Sequence, residues 1–125
     1  MTSPLDRIPP KLQRAPYDVD VGHLLRAGDD VTVTVTRVAA HRSIGPVEVA
    51  LVCRAADDGE LLAEVATTVP SDGGTVTLML PEDGPLTAEG DEIVNAWTVL
   101  VRATDGRRRN LALPTPVWVG PAEPE

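Results

Sequence analysis

Along most of the chain, apolar and polar residues alternate one by one, the period of a strand with one face buried. The clearest stretch is Val31-Thr-Val-Thr-Val-Thr36, with valines on one side and threonines on the other. Gly28, Asp29 and Asp30 supply the turn before it. A shorter strand is expected at about Val19 to Leu25. Val47 to Cys53 alternates again, with Val47, Val49, Leu51 and Cys53 on one face. Asp57-Asp-Gly59 then reads as a hairpin turn, because Asp-Gly accepts positive backbone angles. The return strand covers about Glu60 to Val69, although Glu60, Leu61, Leu62, Ala63 and Glu64 also favour helix. Ser71 to Gly74 turns the chain into a strand at Thr75 to Leu80, stopped by Pro81. Glu82 to Asp91 is expected as an acidic loop. Ile93 to Thr104 follows as a long strand with Trp97, Val99 and Val101 on one face. Asp105-Gly106 turns into a last strand at about Leu111 to Val119. Pro114 and Pro116 remove ladder donors there and predict an edge position or a bulge.

This spacing, one strand every 8–12 residues or roughly so, predicts an all-β chain: an immunoglobulin-like antiparallel β-sandwich of about seven strands. Its order also resembles a known family. Ala27-Gly-Asp-Asp-Val-Thr-Val, Val47-Glu-Val-Ala-Leu-Val-Cys53, Val76-Thr-Leu-Met-Leu-Pro81, Gly84-Pro-Leu-Thr87, Ala96-Trp-Thr-Val-Leu-Val101 and Leu113-Pro-Thr-Pro-Val117 follow one another as the corresponding strands do in the arrestin-like sandwich. That fold is shared by arrestins, retromer subunits of the same fold and bacterial sporulation-control proteins. The resemblance spans about residues 19–119. It implies a single arrestin-like lobe, acting as a protein-interaction module without chemistry of its own. The phosphate sensor and polar core of arrestins have no counterpart here, so receptor or phosphopeptide binding is not implied.

The 125 residues suit one domain, expected at 17–120. Residues 1–16 contain four prolines, Pro4, Pro9, Pro10 and Pro16, and read as an extended arm. Residues 121–125 read as a short tail. Eleven basic residues stand against nineteen acidic ones, giving a net charge of −8. Such a balance argues against nucleic acid as a general partner. No apolar run approaches the 20 or so residues of a membrane-spanning helix. Cys53 is the one cysteine, so no internal disulfide forms, and a lone thiol on an apolar face suggests a cytoplasmic setting.

Candidate chemistry is sparse. His41, Ser43 and Asp57 are the residue types of a hydrolytic triad, but Ser43 lies in Ser-Ile-Gly-Pro, a turn and not a nucleophile elbow. Cys53 reads as an inert core thiol. The carboxylates of Glu82, Asp83, Glu89, Asp91 and Glu92 could gather calcium, yet lack the order of a dedicated loop. No catalytic residue, metal site or cofactor is therefore expected. Contact residues are the better candidates: Arg107, Arg108 and Arg109 at a hairpin tip, suited to an acidic group; Trp118, whose parity opposes Val117 and Val119; and Pro9 and Pro10 in the arm, able to lie across a neighbouring subunit. The first expectation is a scaffolding or protein-interaction module. The alternative is a phage virion accessory protein of the capsid-decoration type, assembling through its arm as a homo-oligomer.

Overall fold

A computed structural model describes residues 16–22, 24–38, 46–104 and 110–121. The chain is all-β, with no helix among the described residues. Its strands are β1 (Tyr17–Asp20), β2 (Leu24–Arg26), β3 (Asp30–Arg37), β4 (Val47–Ala55), β5 (Leu61–Val69), β6 (Gly73–Met79), β7 (Ala88–Glu89), β8 (Glu92–Ile93), β9 (Asn95–Ala103) and β10 (Thr115–Gly120). They form a three-stranded sheet in the order β1-β3-β6, a five-stranded sheet in the order β2-β10-β9-β4-β5, and the small hairpin β7-β8.

The alternation dictates which residues meet. Val31, Val33 and Val35 of β3, Leu78 of β6 and Tyr17 of β1 share one buried cluster with Val47, Val49, Leu51 and Cys53 of β4, Val99 and Val101 of β9, and Val119 of β10. Both larger sheets thus contribute one face to the same core. The chain has no phenylalanine, and Trp97, only 1% exposed, is the largest fully buried side chain. Its indole Nε1 donates to the Pro85 carbonyl at 2.9 Å, which satisfies the ring's one polar atom. Tyr17 is also buried, and its hydroxyl donates to the Ser71 carbonyl across the fold.

Residues 61–69 form a strand, not a helix: β5 pairs with β4 from Val47↔Val69 to Cys53↔Ala63, with a shift of register at Cys53/Arg54. Burial on one face and the hairpin at Asp57–Gly59 outweigh the helix preference of the leucines and glutamates. Several expectations need correction. The single strand at Val19 to Leu25 is two strands in different sheets, β1 against β3 and β2 against β10. Since β2 runs parallel to β10, the five-stranded sheet is mixed and not purely antiparallel. Third, the segment expected as an acidic loop contains β7 and leads into β8.

The last strand lies between β9 and β2 in sheet order, not at an edge. Its prolines are nevertheless accommodated. Pro114 precedes the strand. β9 pairs with residues 115–117, whereas β2 pairs with residues 118–120, so Pro116 faces a partner strand on one side only. A residue lacking its amide hydrogen is tolerated at such a locally open position.

Two turn glycines carry different constraints. Gly59 has φ 73° with open space where a Cβ would be. Gly73 has φ 102°, and a Cβ there would press on the Val35 carbonyl oxygen of the paired strand. Gly59→Ala should therefore cost about 1 kcal/mol, the ordinary penalty of a left-handed alanine. Gly73→Ala should cost at least about 2 kcal/mol, since backbone contact adds to strain. Urea unfolding of the two variants checks this order, and equal midpoints would refute it.

Candidate functional site

The two sheets differ in what they turn outward. β3 and β6 present Thr32, Thr34, Thr36, Thr75 and Thr77 away from the core, and the Thr34 and Thr75 hydroxyls meet at 3.1 Å. That face is polar. On the five-stranded sheet the outward residues are mixed, with aliphatic side chains standing beside Glu48, Arg54, Glu64 and Arg102. Glu64, Val52, Thr98 and Pro116 lie in one cross-strand row, and Ala66, Ala50 and Leu100 in another. Ala50 and Val52 are buried yet stand outside the core cluster, as the outward parity of β4 requires.

A third row carries the charge of this face. Glu48 is registered with Arg102, and the Arg102 guanidinium bridges the Glu48 and Glu64 carboxylates, the latter at 2.9 Å. Burial opposes the Arg102 charge, but the bonds and charges of the two glutamates outweigh it and raise its pKa. The trio carries one uncompensated negative charge beside an apolar face.

At the opposite end of β9 lies a groove of about 410 Å³. Leu24, Ile93, Ala96, Thr98, Pro116 and Trp118 line it. Leu24 is 82% exposed, Ile93 61% and Trp118 41%, an unusual concentration on a chain with three aromatic residues in all. The groove's wall is fixed by the segment after Pro85. The Thr87 amide donates to the Val119 carbonyl at 3.0 Å, and the Val119 amide donates to the Thr87 hydroxyl oxygen at 2.8 Å. Asn95 Nδ2 donates to the Leu86 carbonyl at 2.7 Å, and the Val94 and Asn95 amides both donate to the Thr87 carbonyl. Thr87 is thus a buried clasp that locks the β7-β8 hairpin onto β10. The hairpin also carries Glu89, Asp91 and Glu92, all exposed; Glu89 and Glu92 are paired, with parity opposite to Ala88 and Ile93.

The structure places Trp118 partly exposed, as its parity predicts, and brings it beside Leu24 in register. Leu24 and Ile93 went unflagged in the sequence, because each becomes a groove residue only through long-range pairing. Pro9, Pro10, Arg107, Arg108 and Arg109, like His41 and Ser43, lie outside the described residues. Among the described residues, no three His, Cys, Asp or Glu side chains gather as a metal-binding group, and no helix is long and apolar enough to cross a membrane. No protein-family model matches the chain, and no curated protein matches it in sequence.

Cys53 is fully buried, and burial pushes its thiol up from 9.0 to about 11. The folded chain holds this proton while the unfolded chain releases it near pH 9. The fold therefore loses stability as pH rises between 9.0 and about 11, and the group has no effect below that window. At about pH 8 a thiol reagent should leave native Cys53 unmodified and label it once guanidinium unfolds the chain. Rapid labelling of the native protein would contradict the burial.

Proposed function

We propose that the chain is a non-enzymatic protein-interaction module, a β-sandwich of arrestin-like type that binds a partner through the outer face of its five-stranded sheet. The observation that carries this is the groove at the end of the five-stranded sheet, where Leu24, Ile93 and Trp118 are exposed together, against an outer face of mainly threonines on the other sheet. An exposed tryptophan beside aliphatic groups has the composition of an interface centre. The arrestin-like assignment rests on the order of the sequence motifs, and a cytoplasmic setting on the reduced, buried Cys53.

A second reading, a virion accessory protein of the capsid-decoration type, is favoured by the basic, proline-containing first fifteen residues on an otherwise acidic chain. It calls for repeated copies, and concentration-dependent assembly in sedimentation would support it.

The test is affinity capture with the full chain, identification of the recovered protein by mass spectrometry, and titration of the two purified components. Trp118→Ala and Leu24→Asp should each weaken binding about tenfold or more, as hot-spot residues do. Thr32→Asp, on the threonine face, should leave it unchanged. Binding that is insensitive to both groove substitutions would reject this face as the contact surface.

A further inference from the structure

We propose that the edge of β5 is a second contact surface, which takes an extended peptide segment of alternating apolar and basic residues as an added strand. This surface is separate from the groove, because β5 and β2 are the opposite edges of the five-stranded sheet.

The first observation is a row of backbone groups aimed outward. The Ala56 amide donates to the Val94 carbonyl, and the Ala55 amide to the Glu60 carbonyl. In an antiparallel ladder the bonding side alternates from one residue to the next, so even positions of β4 bond to β9 and odd positions to β5. The register Val49↔Thr67, Leu51↔Val65 and Cys53↔Ala63 then turns the amides and carbonyls of Ala63, Val65 and Thr67 towards β4. Those of Glu64, Ala66 and Thr68 face the other way, where the sheet order gives β5 no neighbour among the described residues. The edge strands β1 and β2 have four and three residues, whereas β5 has nine. None of the nine is a proline, lysine or arginine, the residues that commonly block pairing at long edges.

The second is shape. β6 is the last strand of the other sheet, and a turn closed by the Gly73 amide on the Pro70 carbonyl joins it to β5. The two sheet edges leave this turn together and part further along, at a crevice of about 480 Å³ lined by Ala63, Val65, Met79 and Pro81, with Glu64 and Glu82. Met79 is 66% exposed there. A strand added to β5 sets every second side chain beside Ala63 and Val65, at the crevice, and the others beside Glu64 and Ala66 on the outer face. The crevice side suits aliphatic groups.

The third is charge, which decides the chemistry of the outer side. From Ala55 to Val101 the chain has ten acidic residues and no basic one, and β5 and β6 both lie in that stretch. Glu64 shares Arg102 with Glu48, so the trio keeps one negative charge. A cationic side chain opposite Glu64 is therefore attracted, whereas a second copy of this acidic strand is opposed.

Fluorescence anisotropy with the full chain tests the proposal, using a dye-labelled, end-capped peptide of alternating lysine and valine, about seven residues long. A peptide of the same composition with its valines in one block has the same charge but no alternation. The alternating peptide should bind at least about tenfold more tightly. Ala66→Pro removes an outward amide while sparing the ladder to β4, and Glu64→Lys reverses the charge. Each should weaken binding about tenfold or more. In hydrogen exchange the Glu64, Ala66 and Thr68 amides of the wild type should slow when the peptide saturates it. The Val65 and Thr67 amides, bonded to β4 throughout, show that each variant is folded. Equal affinity for the two peptides, binding insensitive to both substitutions, or slowed exchange gathered at Leu24, Ala96 and Trp118 would overturn the proposal. A peptide-free dimer that Ala66→Pro dissolves would also overturn it, by giving the edge to a second copy.

Discussion

Everything in this molecule hangs on β4 being buried on both faces. Val47, Val49, Leu51 and Cys53 point into the core with no exposure, while Ala50 and Val52 are almost as fully covered on the other side. At about 25 cal/mol per Å² of apolar surface removed from water, a strand shielded on both sides is the most strongly anchored element of a sheet. Its neighbours follow from it. β9 and β5 pair along nearly its whole length, β9 delivers Trp97 to the core, and the indole's bond to the Pro85 carbonyl holds the segment that becomes the groove wall. A core without phenylalanine has few large rings to fill irregular space, so one tryptophan and close-set valines carry the packing. The thiol of Cys53 is part of the same layer, which is why it is inert.

The outer sides of the two sheets differ in what they leave to water. A threonine face, as on β3 and β6, is fully served by water and by cross-strand hydroxyl contacts such as Thr34 with Thr75. On the five-stranded sheet Ala50 and Val52 are covered, and the apolar surface left to water at its groove end is that of Leu24, Ile93 and Trp118. The Glu48–Arg102–Glu64 trio breaks that face at one end, and the groove opens at the other. Charge and apolar surface thus sit along one sheet, which is the arrangement that lets a contact be both attractive and oriented.

Much of the fold was legible because period-two alternation is local. Val31–Thr36 and Val47–Cys53 announce their inward faces residue by residue, and Asp57-Asp-Gly59 announces its turn. The exposure of Trp118 follows from parity alone. What stayed hidden depends on residues far apart in sequence. Glu82 to Asp91 has the composition of a solvated loop, and nothing local shows that Thr87 will meet Val119 or that Trp97 will reach Pro85. The split of Val19 to Leu25 between two sheets was invisible for the same reason, since each half looks like a strand and only the partners differ. Leu24 and Ile93 are ordinary aliphatic residues until β2 and β8 set them beside Trp118. Pro116 misled in the opposite direction: its missing amide suggested an edge, but the staggered pairing of β9 and β2 creates an open position inside the sheet.

The proposed contact surface is the groove side of the five-stranded sheet, and not the threonine side of the other. Backbone amide chemical-shift mapping of the isotopically labelled full chain, with the purified partner added stepwise, tests it most directly. The account predicts that perturbations gather at Leu24, Ala96, Thr98 and Trp118 and along the β7-β8 hairpin. Perturbations confined to Thr32, Thr34, Thr75 and Thr77 would contradict it.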